Sequence, residues 1–129
     1  MPKFIDLDAA IAMHQIQVNV FGGTHGLRDQ GLLESALGQA QTTYAYTSDI
    51  HEAAAQYCIS LAKNHPFLDG NKRIGADCMV TFLVLNGIEP TFDASQLFDW
   101  TMEVAMSNID RPALAVLLRK HTTSPRRKK

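Results

Sequence analysis

At 129 residues and 46% hydrophobic, the chain can bury one ordinary core and has no length to spare for a second. Its formal net charge is −1, but four of the 12 basic residues form the terminal run Arg126 to Lys129, leaving eight to face 13 acidic ones. That acidic body argues against a broad nucleic-acid face. No apolar run approaches the roughly 20 residues of a membrane span. The expectation is a soluble cytoplasmic protein, one domain over 1–123, with a basic, solvated flexible tail over 124–129.

The turn signals divide the chain into about six helical segments and no repeat, so the predicted class is all-α, a compact helical bundle. The first helix runs from Asp6 or Asp8 to about Val20, with Leu7, Ile11 and Val18 on its core-facing stripe, and stops at Gly22-Gly23. His14 reads as a partly buried structural residue. After the glycine-rich loop Gly22 to Gly26, Asp29 caps a second helix carrying Leu33, Ala36, Leu37 and Ala40 at helical spacing, fading around Gln41. Thr42 to Thr47 is β-prone and reads as an exposed irregular connection or small flap. Asp49 to Glu52 has the pattern of a capping box and launches a helix to Asn64 with Ala54, Cys58 and Leu61 inward. Cys58 and Cys78, lacking any metal or redox spacing, read as buried free thiols.

Pro66 forces the third helix to end near His65, and the chain then turns through Phe67 to Gly70. The next helix, Asn71 to Leu85, carries Ile74, Met79, Phe82, Leu83 and Leu85, meets its stop at Asn86-Gly87, and reads as the central, most buried one. Asp93 caps a fifth helix through about Met106; Asp110 with Pro112 starts a sixth to about His121.

The chemistry concentrates in His65-Pro66-Phe67-Leu68-Asp69-Gly70-Asn71-Lys72-Arg73. A helix beginning after Gly70 offers unpaired N–H groups and the positive end of its dipole, a cradle for anions, with Lys72 and Arg73 as cations beside it. Asp69 would be repelled by phosphate there unless a divalent cation lay between, which makes it a magnesium ligand. Imidazole exchanges protons near neutral pH, so His65 is the general base for an attacking hydroxyl. Pro66 and Phe67 stiffen and anchor the loop. By residue type alone, an ordinary turn and helix cap with a solvent-facing His65 is an equal alternative, and no Walker-type glycine loop is present.

At these residues the sequence resembles the Fic/Doc superfamily, whose His-x-Phe-x-Asp/Glu-Gly/Ala-Asn-Lys/Gly-Arg loop is matched by His65, Phe67, Asp69, Gly70, Asn71, Lys72 and Arg73. Gly26 to Leu37 and Phe82 to Gly87 look like the Doc branch, the death-on-curing toxins. The Fic branch, which transfers AMP, usually has Gly where Lys72 stands and a further Arg where Ala76 stands. The Doc likeness implies an active loop preceding the central helix and ATP bound with its γ-phosphate beside His65. It also implies phosphorylation of a threonine on a translation factor, elongation factor Tu, and arrest of translation. Carried over by position, His65 deprotonates the hydroxyl, Asp69 holds Mg2+, and Gly70, Asn71, Lys72 and Arg73 bind phosphates. AMP transfer to a protein hydroxyl and a degenerate antitoxin-binding module are the alternatives. Ser48 to Glu52 only partly imitates the self-inhibitory helix of some Fic proteins and reads as the helix cap, so the resemblance implies a separate antitoxin with a disordered tail. It also implies a monomeric free toxin. Arg28 reads as structural, paired with a carboxylate such as Asp29, rather than as a nucleotide ligand.

Overall fold

Six helices follow one another in the computed structural model, which describes residues 1–124: α1 (Leu7–Phe21), α2 (Gln30–Thr47), α3 (Ile50–Asn64), α4 (Asn71–Leu85), α5 (Ala94–Ala105) and α6 (Arg111–Lys120). Two two-residue strands, β1 (Glu89–Pro90) and β2 (Thr122–Thr123), pair antiparallel and fasten the segment after α4 to the one after α6. Strands this short leave no periodic trace in a sequence. The tail from residue 125 on, with its basic run, lies outside the described residues. No helix among the described residues is long and apolar enough to cross a membrane.

Helix starts follow a single rule with one exception. Asp6, Asp29, Asp49, Asp93 and Asp110 each accept a first-turn N–H with their side chains, satisfying donors that the helix itself cannot. At Asp93 the Gln96 side chain returns the bond to the cap backbone, completing a capping box. Asp93→Ala should therefore cost about 1 kcal/mol, read as a shift in the urea midpoint. The expected box at Asp49 forms only by half: Asp49 accepts from the His51 and Glu52 amides, but Glu52 Oε1 takes the guanidinium of Arg111 at 2.8 Å. The exception, α4, opens on Gly70 with no side-chain cap among the described residues.

The Thr42–Thr47 patch is not an irregular connection or flap; α2 continues through it. Thr43 Oγ1 bonds back to the Gln39 carbonyl at 2.9 Å and Thr47 Oγ1 to that of Thr43 at 2.8 Å, which keeps these hydroxyls satisfied within a helix. Thr43 is buried, and Tyr44 meets Phe4 edge-on with ring centroids 6.2 Å apart. Tertiary packing thus overrides β-propensity here. Most of the patch remains exposed, as expected.

Helix α4 shares the centre of the molecule with α3 rather than holding it alone, since each buries eight residues. Their axes come close enough that a Cβ on Gly75 would stand 3.0 Å from the Cys58 carbonyl. Ile74, Met79, Phe82 and Leu83 are fully buried, while Leu85 points outward. Phe82 stacks on Phe4 (5.6 Å) and tilts against Tyr57 (5.2 Å). Tyr57 in turn accepts the Ile5 amide at 2.9 Å and ties the N-terminal segment to the core. The Cys58 and Cys78 thiols are buried and unbridged; burial pushes both upward, Cys58 to about 12, so neither is a nucleophile.

Candidate active site

The turn between α3 and α4 is held in shape from three directions. Arg28 donates through Nε to the His65 carbonyl (2.6 Å) and through Nη2 to that of Asn64 (2.9 Å), closing the end of α3. Its role is structural, but its partners are carbonyls instead of Asp29. The Arg28 and Asp29 amides both donate to the Pro66 carbonyl, and Leu68 N–H donates to that of Gly26. Below, Pro66 and Phe67 are buried, as expected of loop anchors. From the α4 side, Asn71 clasps Phe67: its Oδ1 accepts the Phe67 N–H at 2.9 Å and its Nδ2 donates to the Phe67 carbonyl at 3.0 Å. Expected to bind phosphate, Asn71 spends both polar atoms of its side chain on the loop backbone.

His65 sits at the end of α3 with φ 52° and ψ 54°. A residue before proline is ordinarily extended, so this left-handed backbone is held by its surroundings, and such strain gathers at functional sites. Its ring is exposed, with Nδ1 3.0 Å from the Lys63 carbonyl. A carbonyl only accepts, so Nδ1 carries the proton in the neutral ring and Nε2 is left with a free lone pair. That is the arrangement a general base needs.

Asp69 is exposed and its two oxygens are oriented by backbone: Oδ1 accepts Gly70 N–H at 2.9 Å and Oδ2 accepts Thr24 N–H at 3.1 Å. Gly23 must be glycine there, since it lies at φ 112° and a Cβ would stand 2.8 Å from Asp69 Oδ2. Among the described residues no cluster of three or more His, Cys, Asp or Glu could cage an ion. A single exposed carboxylate fits Mg2+, which takes one or two carboxylates and fills its remaining positions with water and substrate phosphates.

Gly70 enters α4 at φ 76°, a left-handed turn that leaves the first-turn amides of Asn71, Lys72 and Arg73 without a side-chain cap. Lys72 and Arg73 are exposed beside them, and the Arg73 guanidinium lies 4.0 Å over the Phe21 ring. His65, Asp69, Gly70, Asn71, Lys72 and Arg73 all line one cleft of about 770 Å3, walled on the far side by Ala94, Leu97, Phe98, Thr101 and Met102 of α5. The structure therefore brings the expected base, metal ligand and phosphate-binding residues of the loop to a single cavity, while the anchors Pro66 and Phe67 lie buried outside its lining.

Three residues at or beside the cleft were not singled out from the sequence for this site: Gln17 and Asp77 line it, and His14 is buried. His14 and Gln17 of α1 reach the carbonyls of Asp69 and Gly70. Asp77, one turn beyond Arg73, is half-buried in the cleft wall; desolvation raises its carboxyl above the ordinary 3.8 and the Arg73 charge partly opposes this. A carboxyl raised on folding gives stability that is fully present below its unfolded value and lost as pH rises through the folded value. Asp77→Asn should accordingly remove that loss, so its urea midpoint falls less than wild type's between acid and neutral pH.

Residues 4–83 match the model of a family described as the Fic/DOC family. The chain is 32% identical over 120 residues to the protein kinase doc of Escherichia phage P1, covering 92% of this chain and 94% of that one. It is 34% identical over 124 residues to the toxin Doc of Mycolicibacterium smegmatis (strain ATCC 700084 / mc(2)155), covering 92% of each.

Proposed function

The chain belongs to the Fic/DOC family, and within it we propose that this protein is a Doc-type toxin. In this reading it transfers the γ-phosphate of ATP to a threonine hydroxyl of a translation factor, elongation factor Tu, and so arrests translation. The observation that carries the proposal is the convergence of three chemistries on one cleft: the free Nε2 of His65, the uncapped start of α4 with Lys72 and Arg73, and the exposed Asp69 carboxylate.

In that reading His65 Nε2 takes the proton of the incoming hydroxyl, whose oxygen attacks the terminal phosphorus while ADP departs. The α4 amides, Lys72 and Arg73 bind the phosphate oxygens and balance the charge that shifts between them. Asp69 would hold Mg2+, which when bound neutralises charge on the phosphates. The α5 wall adds the apolar side chains of Leu97, Phe98 and Met102 to the cleft.

Two features favour this over AMP transfer. Lys72 sets a long cationic side chain where a glycine would allow a phosphate to approach the backbone. Ala76, which lines the cleft, supplies no guanidinium from the place where the AMP-transferring branch has one. Incubation with elongation factor Tu and ATP labelled at the γ- or the α-phosphate tests the proposal. Transfer of γ-label alone is expected; α-label on the target would make the protein an AMP transferase, and no label from an intact preparation would leave only a binding module.

A toxin of this kind is silenced by a partner, and the cleft rim suits one. Phe21, Leu68 and Phe98 are 65%, 56% and 64% exposed along its edge, the apolar character that an amphipathic helix seeks in a groove. The proposed antitoxin is a protein with a disordered tail that folds onto this rim.

A further inference from the structure

One stripe of α1 runs along the turn before α4, with His14, Gln17 and Phe21 spaced i, i+3 and i+7. His14 Nε2 donates to the Asp69 carbonyl at 2.8 Å while its ring stacks on Phe67, centroids 3.8 Å apart and planes 8° from parallel. Gln17 Nε2 donates to the Gly70 carbonyl at 3.1 Å. Phe21 lies beneath the Arg73 guanidinium.

We propose that His14 and Gln17 are positioning residues for the transfer reaction, fixing the two consecutive peptide planes that aim the Asp69 carboxylate and the first amide of α4. This deepens the kinase reading and rests on it. A trans peptide points its C=O and N–H in opposite directions. Anchoring the Asp69 carbonyl on His14 therefore turns the Gly70 N–H away from α1, and that N–H holds Asp69 Oδ1 at 2.9 Å. Anchoring the Gly70 carbonyl on Gln17 likewise sets the direction of the Asn71 N–H, the first of the uncapped amides.

A second observation separates positioning from simple packing. Gln17 is 6% exposed, and its Oε1 is buried with no hydrogen-bond partner among the described residues. An unsatisfied buried acceptor costs stability and offsets the bond that Nε2 makes to the Gly70 carbonyl, so an apolar side chain of the same length should leave the fold about as stable. The amide orientation is fixed, because a flipped amide would set Oε1 against the Gly70 carbonyl. Gly70 completes the fit: a Cβ there would come within 2.3 Å of Gln17 Nε2. A side chain with little net gain for the fold, bonded to the turn before α4, acts on the direction of that turn's peptides.

The test compares Gln17→Met, His14→Gln and His14→Phe with wild type by thermal unfolding, calorimetric titration with Mg-ATP, γ-label transfer and the NMR shifts of the Gly70 and Asn71 amides. Gln17→Met is expected to keep the unfolding midpoint, move both amide shifts, and lower Mg-ATP affinity or kcat about tenfold. His14→Gln keeps an N–H and loses the stack, whereas His14→Phe keeps the stack and loses the N–H. The glutamine variant should retain more Mg-ATP affinity even though it is the less stable of the two. A Gln17→Met protein that is destabilised, or that binds and transfers as wild type does, overturns the proposal. So does a phenylalanine variant that matches or exceeds the glutamine one. A wild type that neither binds Mg-ATP nor transfers label overturns the kinase reading instead, and unmoved amide shifts in Gln17→Met would still defeat the positioning claim on their own.

Discussion

His65→Ala is expected to lower phosphoryl transfer by about 10²–10⁴-fold, the usual contribution of a positioned general base, and to abolish growth arrest on expression. The fold should hardly notice. The ring is exposed and its one bond among the described residues is from Nδ1 to the Lys63 carbonyl, so the cost should be about 0.5 kcal/mol or less. Because Lys72, Arg73 and the α4 amides are untouched, Mg-ATP affinity should stay within about threefold of wild type, and the loss should lie in kcat. His65→Gln is the informative companion, since an amide can occupy the place without accepting and releasing a proton. Toxicity and γ-label transfer that survive both substitutions would remove His65 from the chemistry and return it to the role of a helix end.

Asn71→Leu is expected to destabilise the protein by about 2–4 kcal/mol, the sum of two lost hydrogen bonds and the burial of a carbonyl and an N–H left without partners. The reason lies in the clasp on Phe67, which joins the first residue of α4 to the buried anchor of the turn through both side-chain atoms. Once it opens, the Phe67 backbone loses its hydrogen bonds to the start of the helix, and activity should fall with stability. Asn71→Asp keeps the acceptor toward the Phe67 N–H and loses the donor, so it should lie between leucine and wild type. Urea unfolding decides the matter. A side chain whose main business was binding phosphate would instead give Asn71→Leu an unchanged midpoint and a weakened affinity for Mg-ATP.

The residues of the turn were readable from the sequence because the signals that made it are local. Pro66 ends one helix, Gly70 permits the left-handed entry to the next, and aspartates mark the other starts. Residue type at His65, Asp69, Lys72 and Arg73 suggested the chemistry proposed for them. Asn71 shows the limit: its type and place suit phosphate, but only the fold reveals that Phe67 already occupies both ends of its amide. His14 and Gln17 were beyond reach for a similar reason. Helical periodicity says which face of α1 is buried, and says nothing of the carbonyls 53 and 55 residues away that the face meets. Thr42 to Thr47 failed in the other direction, since local β-propensity was overruled by hydroxyls folded back onto the helix and by burial of Thr43.

The bare start of α4 ties heat resistance to the contents of the solution. Where other helices bring an aspartate of their own, this one leaves its opening amides to whatever negative group settles there, and ligand at a hundred times its Kd adds about 2.7 kcal/mol of folding energy. The melting curve of this protein is thereby a gauge of occupancy, and a panel of phosphates, nucleotides and acidic peptides can be ranked by nothing more than a dye and a heating block.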